Sequence, residues 1–211
     1  VSDLLPAESL KQGIEAGPRR TALPTDAAAG KTASREHQAR ERNSMHGLTN
    51  LECFSVAVAD HIATVTMRRP PVNAQNRQFR DEIIRIFDTL HDTPEVRAII
   101  LTGEGRTFSA GADLKERPGL SGEAGAYPRH NRLVRAAFDC VMECEKPVIA
   151  AINGAAIGAG CVLALSADIL VAGEGAFLSM TEVDVGLAGG VRHVLRHFGQ
   201  SDARLMIMTA R

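Results

Sequence analysis

The stretch Lys146-Pro-Val-Ile-Ala-Ala-Ile-Asn-Gly-Ala-Ala-Ile-Gly-Ala-Gly-Cys-Val-Leu-Ala-Leu-Ser-Ala167 admits two opposed readings, and choosing between them settles the fold. From Val148 to Ala167 it runs 20 residues without a charge, long enough for one membrane helix. Ala rather than Leu supplies much of its apolarity, and the run also holds Asn153, Ser166 and three Gly, which insert poorly. Pro147 and the pair Asn153-Gly154 cut it into a strand over Val148–Ile152, a loop, and a helix over Gly158–Ser166. It is a buried core segment, not a span.

Working outward, the same alternation of short strands and helices continues on both sides. Ser55–Met67 alternates apolar and polar residues and predicts two strands around a turn at Ala59-Asp60. Gln78–Leu90 puts Phe79, Ile83, Ile84, Ile86, Phe87 and Leu90 on one broad helical face. Arg97–Thr102 reads as a short buried strand, Arg132–Cys144 as an amphipathic helix stopped by Pro147, and Ile169–Ala172 as another strand. The order describes an α/β chain with short crossovers.

Composition narrows the partners. The chain has 211 residues with 24 Lys+Arg against 25 Asp+Glu, so no basic field attracts nucleic acid. Cys53, Cys140, Cys144 and Cys161 are too few for a disulfide scaffold and read as reduced packing thiols, which points to a cytoplasmic location. Residues 1–44 show almost no apolar periodicity and carry a charged run from Arg35 to Arg42. They read as a disordered tail or upstream extension, with Met45 as a natural start and residues 45–211 as the domain. His193 and His197 share one helical side, but with Arg192 and Arg196 beside them and no third ligand pattern they read as a polar helix face, not a metal site.

Two strand-to-helix joints are rich in small residues: Thr107-Phe-Ser-Ala-Gly-Ala-Asp-Leu-Lys-Glu116 and Asn153-Gly-Ala-Ala-Ile-Gly-Ala-Gly-Cys161. Small residues let a ligand approach the backbone, and free N–H groups at a helix start seat negative charge. Neither joint is a Walker loop, since no Gly-Lys-Ser/Thr follows, and the second lacks the G-x-G-x-x-G spacing. Taken alone, a Gly-rich loop more often marks tight packing than a site.

Read with Met67-Arg-Arg-Pro-Pro-Val-Asn-Ala74, Lys146–Gly154, Ala167-Asp-Ile169 and Thr181-Glu-Val-Asp-Val-Gly186, in that order, the joints resemble the enoyl-CoA hydratase/isomerase family, the crotonase superfamily, from about Leu51 to Arg211. The resemblance implies an α/β spiral of ββα units that binds acyl-CoA or enoyl-CoA, with coenzyme A entering as part of the substrate and no separate cofactor or metal. It implies an oxyanion hole made by the backbone N–H groups of Ala112 and Ala159, and Glu182 as acid/base. Val72, Ala74, Ala110, Gly111, Asp113, Leu114, Lys115 and Gly158 match the family's CoA- and substrate-contacting surface. No membrane and no nucleic acid enter this picture.

The sequence departs from the family pattern twice. Hydratases with two glutamates carry the first where this chain has Val162. One Glu suffices to move a proton between carbons, whereas hydration would need Glu182 to work with another group such as Asp184 or Glu123. Thioester hydrolysis, decarboxylation and a non-catalytic CoA-binding role stay open beside isomerisation. Family members also usually continue for several helices past the segment matching Arg204–Arg211, so the C-terminal helical part is expected to be missing. Those helices cover the site and build homo-oligomers, trimers or pairs of trimers.

A chain beginning at Met45 is expected to match the full chain in melting temperature, because residues 1–44 hold too little apolar surface to offset their ordering entropy. Thermal denaturation of both checks this, and a loss of several degrees would show that the preceding residues dock.

Overall fold

The computed structural model describes residues 48–116 and 123–210. The tail reading over residues 1–44 and the segment 117–122 lie outside the described residues. Strands β1 (Phe54–Ala59) and β2 (Ile62–Met67) pair antiparallel through Ala59 and Ile62, which leaves Asp60 and His61 as the turn. Both have positive φ, 51° and 66°, the primed turn whose twist matches that of its strands. The turn falls one residue later than expected because pairing runs to the end of β1.

Helix α1 (Arg77–His91) starts where the Asn76 side chain accepts the Phe79 N–H at 2.9 Å. Then come β3 (Ala98–Gly103), β4 (Thr107–Ser109), α2 (Ala126–Met142), β5 (Val148–Ile152), β6 (Ala155–Ile157) and α3 (Ala159–Ser166). The chain continues through β7 (Ile169–Ala172), β8 (Phe177–Ser179), a 3₁₀ turn (Glu182–Val185), α4 (Val191–His197) and α5 (Gln200–Thr209). Helix α2 begins six residues before the expected start at Arg132. Pro128 had hidden that first turn, where its missing N–H does no harm.

A five-stranded sheet runs β1-β2-β3-β5-β7, parallel except for the first pair. On its covered face Ala63, Val65, Met67, Ile99, Leu101, Val148, Ala150 and Ile152 alternate with half-buried neighbours, the period of two that a half-covered sheet requires. They meet Phe79, Ile83, Ile86, Phe87 and Leu90 from α1 in one core. A second, parallel sheet of three short strands, β4-β6-β8, has no counterpart in the expected element order. The chain thus repeats a unit: a long strand, a short strand in the small sheet, then a helix. The uncharged run Val148–Ala167 is divided among β5, β6 and α3, and among the described residues no helix is long and apolar enough to cross a membrane.

Several charges and imidazoles serve the frame. Lys146 Nζ donates to the carbonyls of Leu90 and Thr93 at the end of α1, and Asp168 accepts the Val148 N–H at 2.9 Å. His193 and His197 do not form a polar face. The His193 ring stands edge-on to Phe138 at 5.5 Å with both nitrogens buried, and His197 Nε2 lies 3.1 Å from the Leu165 carbonyl. Docking α4 on α3 turns the His193 imidazole inward, leaves His197 exposed beside the end of α3, and leaves Val191 and Leu195 about half exposed.

The entry to β1 hangs on one buried carboxylate. Glu82 accepts the Glu52 N–H at 2.8 Å and Gln78 Nε2 at 2.7 Å on one oxygen, and the Cys53 N–H at 2.9 Å on the other. Glu82→Ala strands two backbone donors in a dry site, so it is expected to destabilise the fold by about 2–4 kcal/mol, several degrees in Tm, measurable by urea or thermal unfolding.

Candidate active site

The two small-residue joints touch backbone to backbone. A Cβ on Gly111 would stand 2.5 Å from the Ile157 carbonyl oxygen and 3.0 Å from the Ala159 nitrogen, and Gly111 has φ +86°. A Cβ on Gly160 would stand 2.1 Å from the Ser109 carbonyl oxygen. No side chain fits at either place, so only glycine permits this approach.

Three polar side chains hold the contact closed. Asn73 Nδ2 donates to the carbonyls of Glu104, Thr107 and Phe108 at 2.9–3.2 Å. Ser109 Oγ donates to the Asn73 carbonyl at 2.7 Å and accepts the Gly111 N–H at 3.2 Å. Gln75 Nε2 reaches Ser109 Oγ at 3.3 Å and the Ala159 carbonyl at 3.1 Å, spanning both joints. All three residues are buried. The sequence reading passed over them as site residues, although three polar groups among small and apolar neighbours were a usable signal.

Two backbone donors survive this network. The Gln75 bridge uses the Gly111 carbonyl and the Asp113 N–H, so the Ala112 N–H between them points the other way. Ala159 opens α3, where a first N–H has no intrahelical acceptor. Between described residues no hydrogen bond from either N–H is found. Both alanines line a cleft of about 560 Å³ bounded by α2, the segment after β4, the start of α3 and residues 181–190.

Glu182 enters the same cleft from the turn after β8. Its Oε1 lies 3.1 Å from the point a Gly158 Cβ would occupy, and its buried Oε2 has no hydrogen-bond partner among the described residues. Burial pushes its pKa above the ordinary carboxylate value of 4.5, only partly offset by a bond to its own backbone. The cleft's other carboxylates are engaged. Asp113 pairs with Arg69 at 2.8 Å; burial pushes it up, but the Lys115 N–H and Arg69 outweigh that and hold it low. Glu116 accepts the Arg77 N–H and pairs with Arg80 at 2.9 Å.

Of the expected residues, Ala110, Ala112, Asp113, Leu114, Gly158, Ala159 and Glu182 line the cleft. Val72, Ala74, Gly111 and Lys115 lie beside it: Val72 and Ala74 offer carbonyls to the Ala110 N–H and Arg69, and the Lys115 N–H binds Asp113. Asp184 and Glu123 are exposed and outside the cleft, Glu123 paired with Arg129 at 2.7 Å. Val162 lines it as a buried apolar residue. Burial pushes the Cys53 thiol up to about 11 and the Cys161 thiol up to about 12, which disfavours their thiolates.

Residues 58–211 match the family model described as enoyl-CoA hydratase/isomerase. A Rhodococcus jostii protein named (7aS)-7a-methyl-1,5-dioxo-2,3,5,6,7,7a-hexahydro-1H-indene-carboxyl-CoA hydrolase is 37% identical over 156 residues, 74% of this chain and 60% of that protein. The mitochondrial enoyl-CoA hydratase of Pongo abelii is 36% identical over 155 residues, 70% of this chain and 51% of its own. A crystal structure of an enoyl-CoA hydratase/isomerase from Mycobacterium paratuberculosis superposes with a TM-score of 0.70 at 32% identity, covering 75% of this chain and 66% of that one. The chain thus spans between 51% and 60% of the length of these two sequence relatives.

Gly111→Ala is expected to force the joints apart. A non-glycine residue at this φ costs ~1–2 kcal/mol, and the clash with Ile157 adds overpacking of ~1–3 kcal/mol. Chemical denaturation would register the loss, while a variant as stable as the parent would show the contact to be soft.

Proposed function

The chain belongs to the enoyl-CoA hydratase/isomerase family, and we propose that it is an acyl-CoA thioester enzyme that moves a proton next to the thioester carbonyl. The observation that carries this reading is the Glu182 carboxylate, its buried Oε2 without a partner among the described residues, in one cleft with the N–H groups of Ala112 and Ala159. The thioester oxygen sits between those two donors. As Glu182 takes a proton from the acyl chain, the electron pair left behind moves onto that oxygen as an enolate. Two fixed donors meet the charge, each worth about 2.7–4 kcal/mol in the transition state. Glu182 then returns the proton to another carbon and the double bond shifts.

Val162 favours this course over hydration. Its side chain holds no water, and the next two carboxylates considered, Asp184 and Glu123, are exposed outside the cleft. A second reading, hydrolysis of an oxygen-rich acyl-CoA, has the Rhodococcus relative in its favour. On either reading coenzyme A arrives with the substrate, and Val72, Ala74 and Lys115 at the rim suit its pantetheine arm. Four free thiols suit a reducing cytoplasm, and the exposed Val191, Leu195, Leu205 and Met208 suit the subunit contacts of a homo-oligomer.

Glu182→Gln is expected to cut turnover by ~10²–10⁴-fold while acyl-CoA binding changes little, because the amide keeps the shape. Full activity in that variant would overturn the mechanism. In the parent enzyme kcat/KM should rise with pH as Glu182 ionises, with its midpoint above 4.5. The same shift carries a stability sign. A folded-state pKa above the unfolded one means the native state loses its proton later, so stability falls as pH rises between the two values. Glu182→Gln should therefore melt higher than the parent at pH 7, with the gain vanishing below the ordinary value of 4.5.

A further inference from the structure

The cleft wall opposite the two alanines is one stripe of α2: Tyr127, His130, Asn131, Val134 and Phe138. Its sequence spacing keeps these residues on one helical side. The stripe changes character along its length. Phe138 and Val134 are apolar and share the cleft with Val162, whereas His130, Asn131 and Tyr127 bring hydrogen-bonding groups to a wall that a plain alkyl chain would leave unused.

Arg80 and Glu116 complete the polar end. Arg80 is 3% exposed, one of two charged residues, with Glu82, buried on a helix whose other buried residues are apolar. Its Nη1 donates to Glu116 at 2.9 Å and its Nη2 to the Gln75 carbonyl at 2.6 Å. The Asp113 N–H donates to that same carbonyl, which puts the guanidinium directly beside the Ala112 joint. His130 lies within the field of both charges; burial, then the positive charge of Arg80, hold the imidazole below its usual pKa against the opposing pull of Glu116. Neither its ring nor the Asn131 amide forms a hydrogen bond with another described residue among those found.

We propose that the acyl group of the substrate carries an uncharged oxygen, a ketone or hydroxyl, bound by His130 and Asn131 beside the Arg80–Glu116 pair. The inference rests on the acyl-CoA reading of the cleft and specifies its substrate class. Neutrality of the oxygen follows from the charge balance. Among the described residues lining the cleft the one cation, Arg80, is already satisfied by Glu116 and a backbone carbonyl, so a carboxylate arriving here would meet no unpaired cation among them and would stand against Glu116. A ketone or hydroxyl needs only the imidazole and amide donors.

Binding of CoA thioesters to the full chain, measured by calorimetry, tests this. The set is 4-oxopentanoyl-CoA and 5-oxohexanoyl-CoA, the 5-hydroxyhexanoyl thioester, their unsubstituted pentanoyl and hexanoyl counterparts, and glutaryl-CoA. At least one oxygenated thioester should bind on the order of tenfold tighter than its alkyl counterpart and than glutaryl-CoA, the worth of a hydrogen bond or two. In a His130→Leu/Asn131→Leu double variant that preference should collapse to near parity. Leucine keeps helix propensity at these half-exposed positions, so α2 stays formed. Equal or tighter binding of the alkyl thioesters, tightest binding of glutaryl-CoA, or a preference that survives the double substitution overturns the proposal and leaves the acyl-CoA reading standing. Failure of every thioester to bind overturns both.

Discussion

The Ser109 carbonyl and the α-carbon of Gly160 stand closer than any side chain would permit, and the Ile157 carbonyl meets Gly111 in the same way. This reciprocal contact between two backbones is the constraint on which the site depends. It makes the joints one rigid body, with Gln75 and Ser109 as its cross-links. On the proposed reading this wall supplies donors at fixed separation, and peptide N–H groups on locked backbone would do so without rotamer freedom.

The small sheet sets that separation. Ala112, Ala159 and Glu182 each follow within three residues of the end of a short strand, β4, β6 and β8, and those strands are neighbours in that order. Parallel strands stand about 4.8 Å apart. Three groups hung from successive strand ends are therefore spaced by the ladder itself. On the proposed reading a new residue at a strand end, or one helical turn beyond it as at Val162, would change the chemistry while the frame stays as it is.

Much of the large sheet and of α1 was legible because periodicity survives over six or more residues, as in Ile62–Met67 and Phe79–Leu90. The small sheet was not, since Thr107–Ser109, Ala155–Ile157 and Phe177–Ser179 are each three residues long, too short for alternation to register. Ala112, Ala159 and Glu182 were reached through resemblance; nothing in the residue types alone separates a donor-bearing alanine from a packing one. Arg80 was legible in principle, as a charge on an apolar stripe, yet its meaning needed the partner from the segment after β4. The inward turn of His193 was not, because Arg192 and Arg196 disguise which side of α4 docks.

The uncharged run from Val148 to Ala167 has a consequence for how the molecule is made. Its strand β5 is bordered on both sides, by β3 and by β7, so half of its backbone has no partner until Ile169–Ala172 has emerged. Its helix α3 is buried nearly throughout. During synthesis or refolding this greasiest portion of the chain waits, uncovered, for parallel neighbours that close only through long crossovers, and such pairings form slowly. Crowded intermediates with that strand bare are the species that stick to one another. The same sparing use of charge that keeps the finished core dry makes the passage to it the hazardous part of this protein's life.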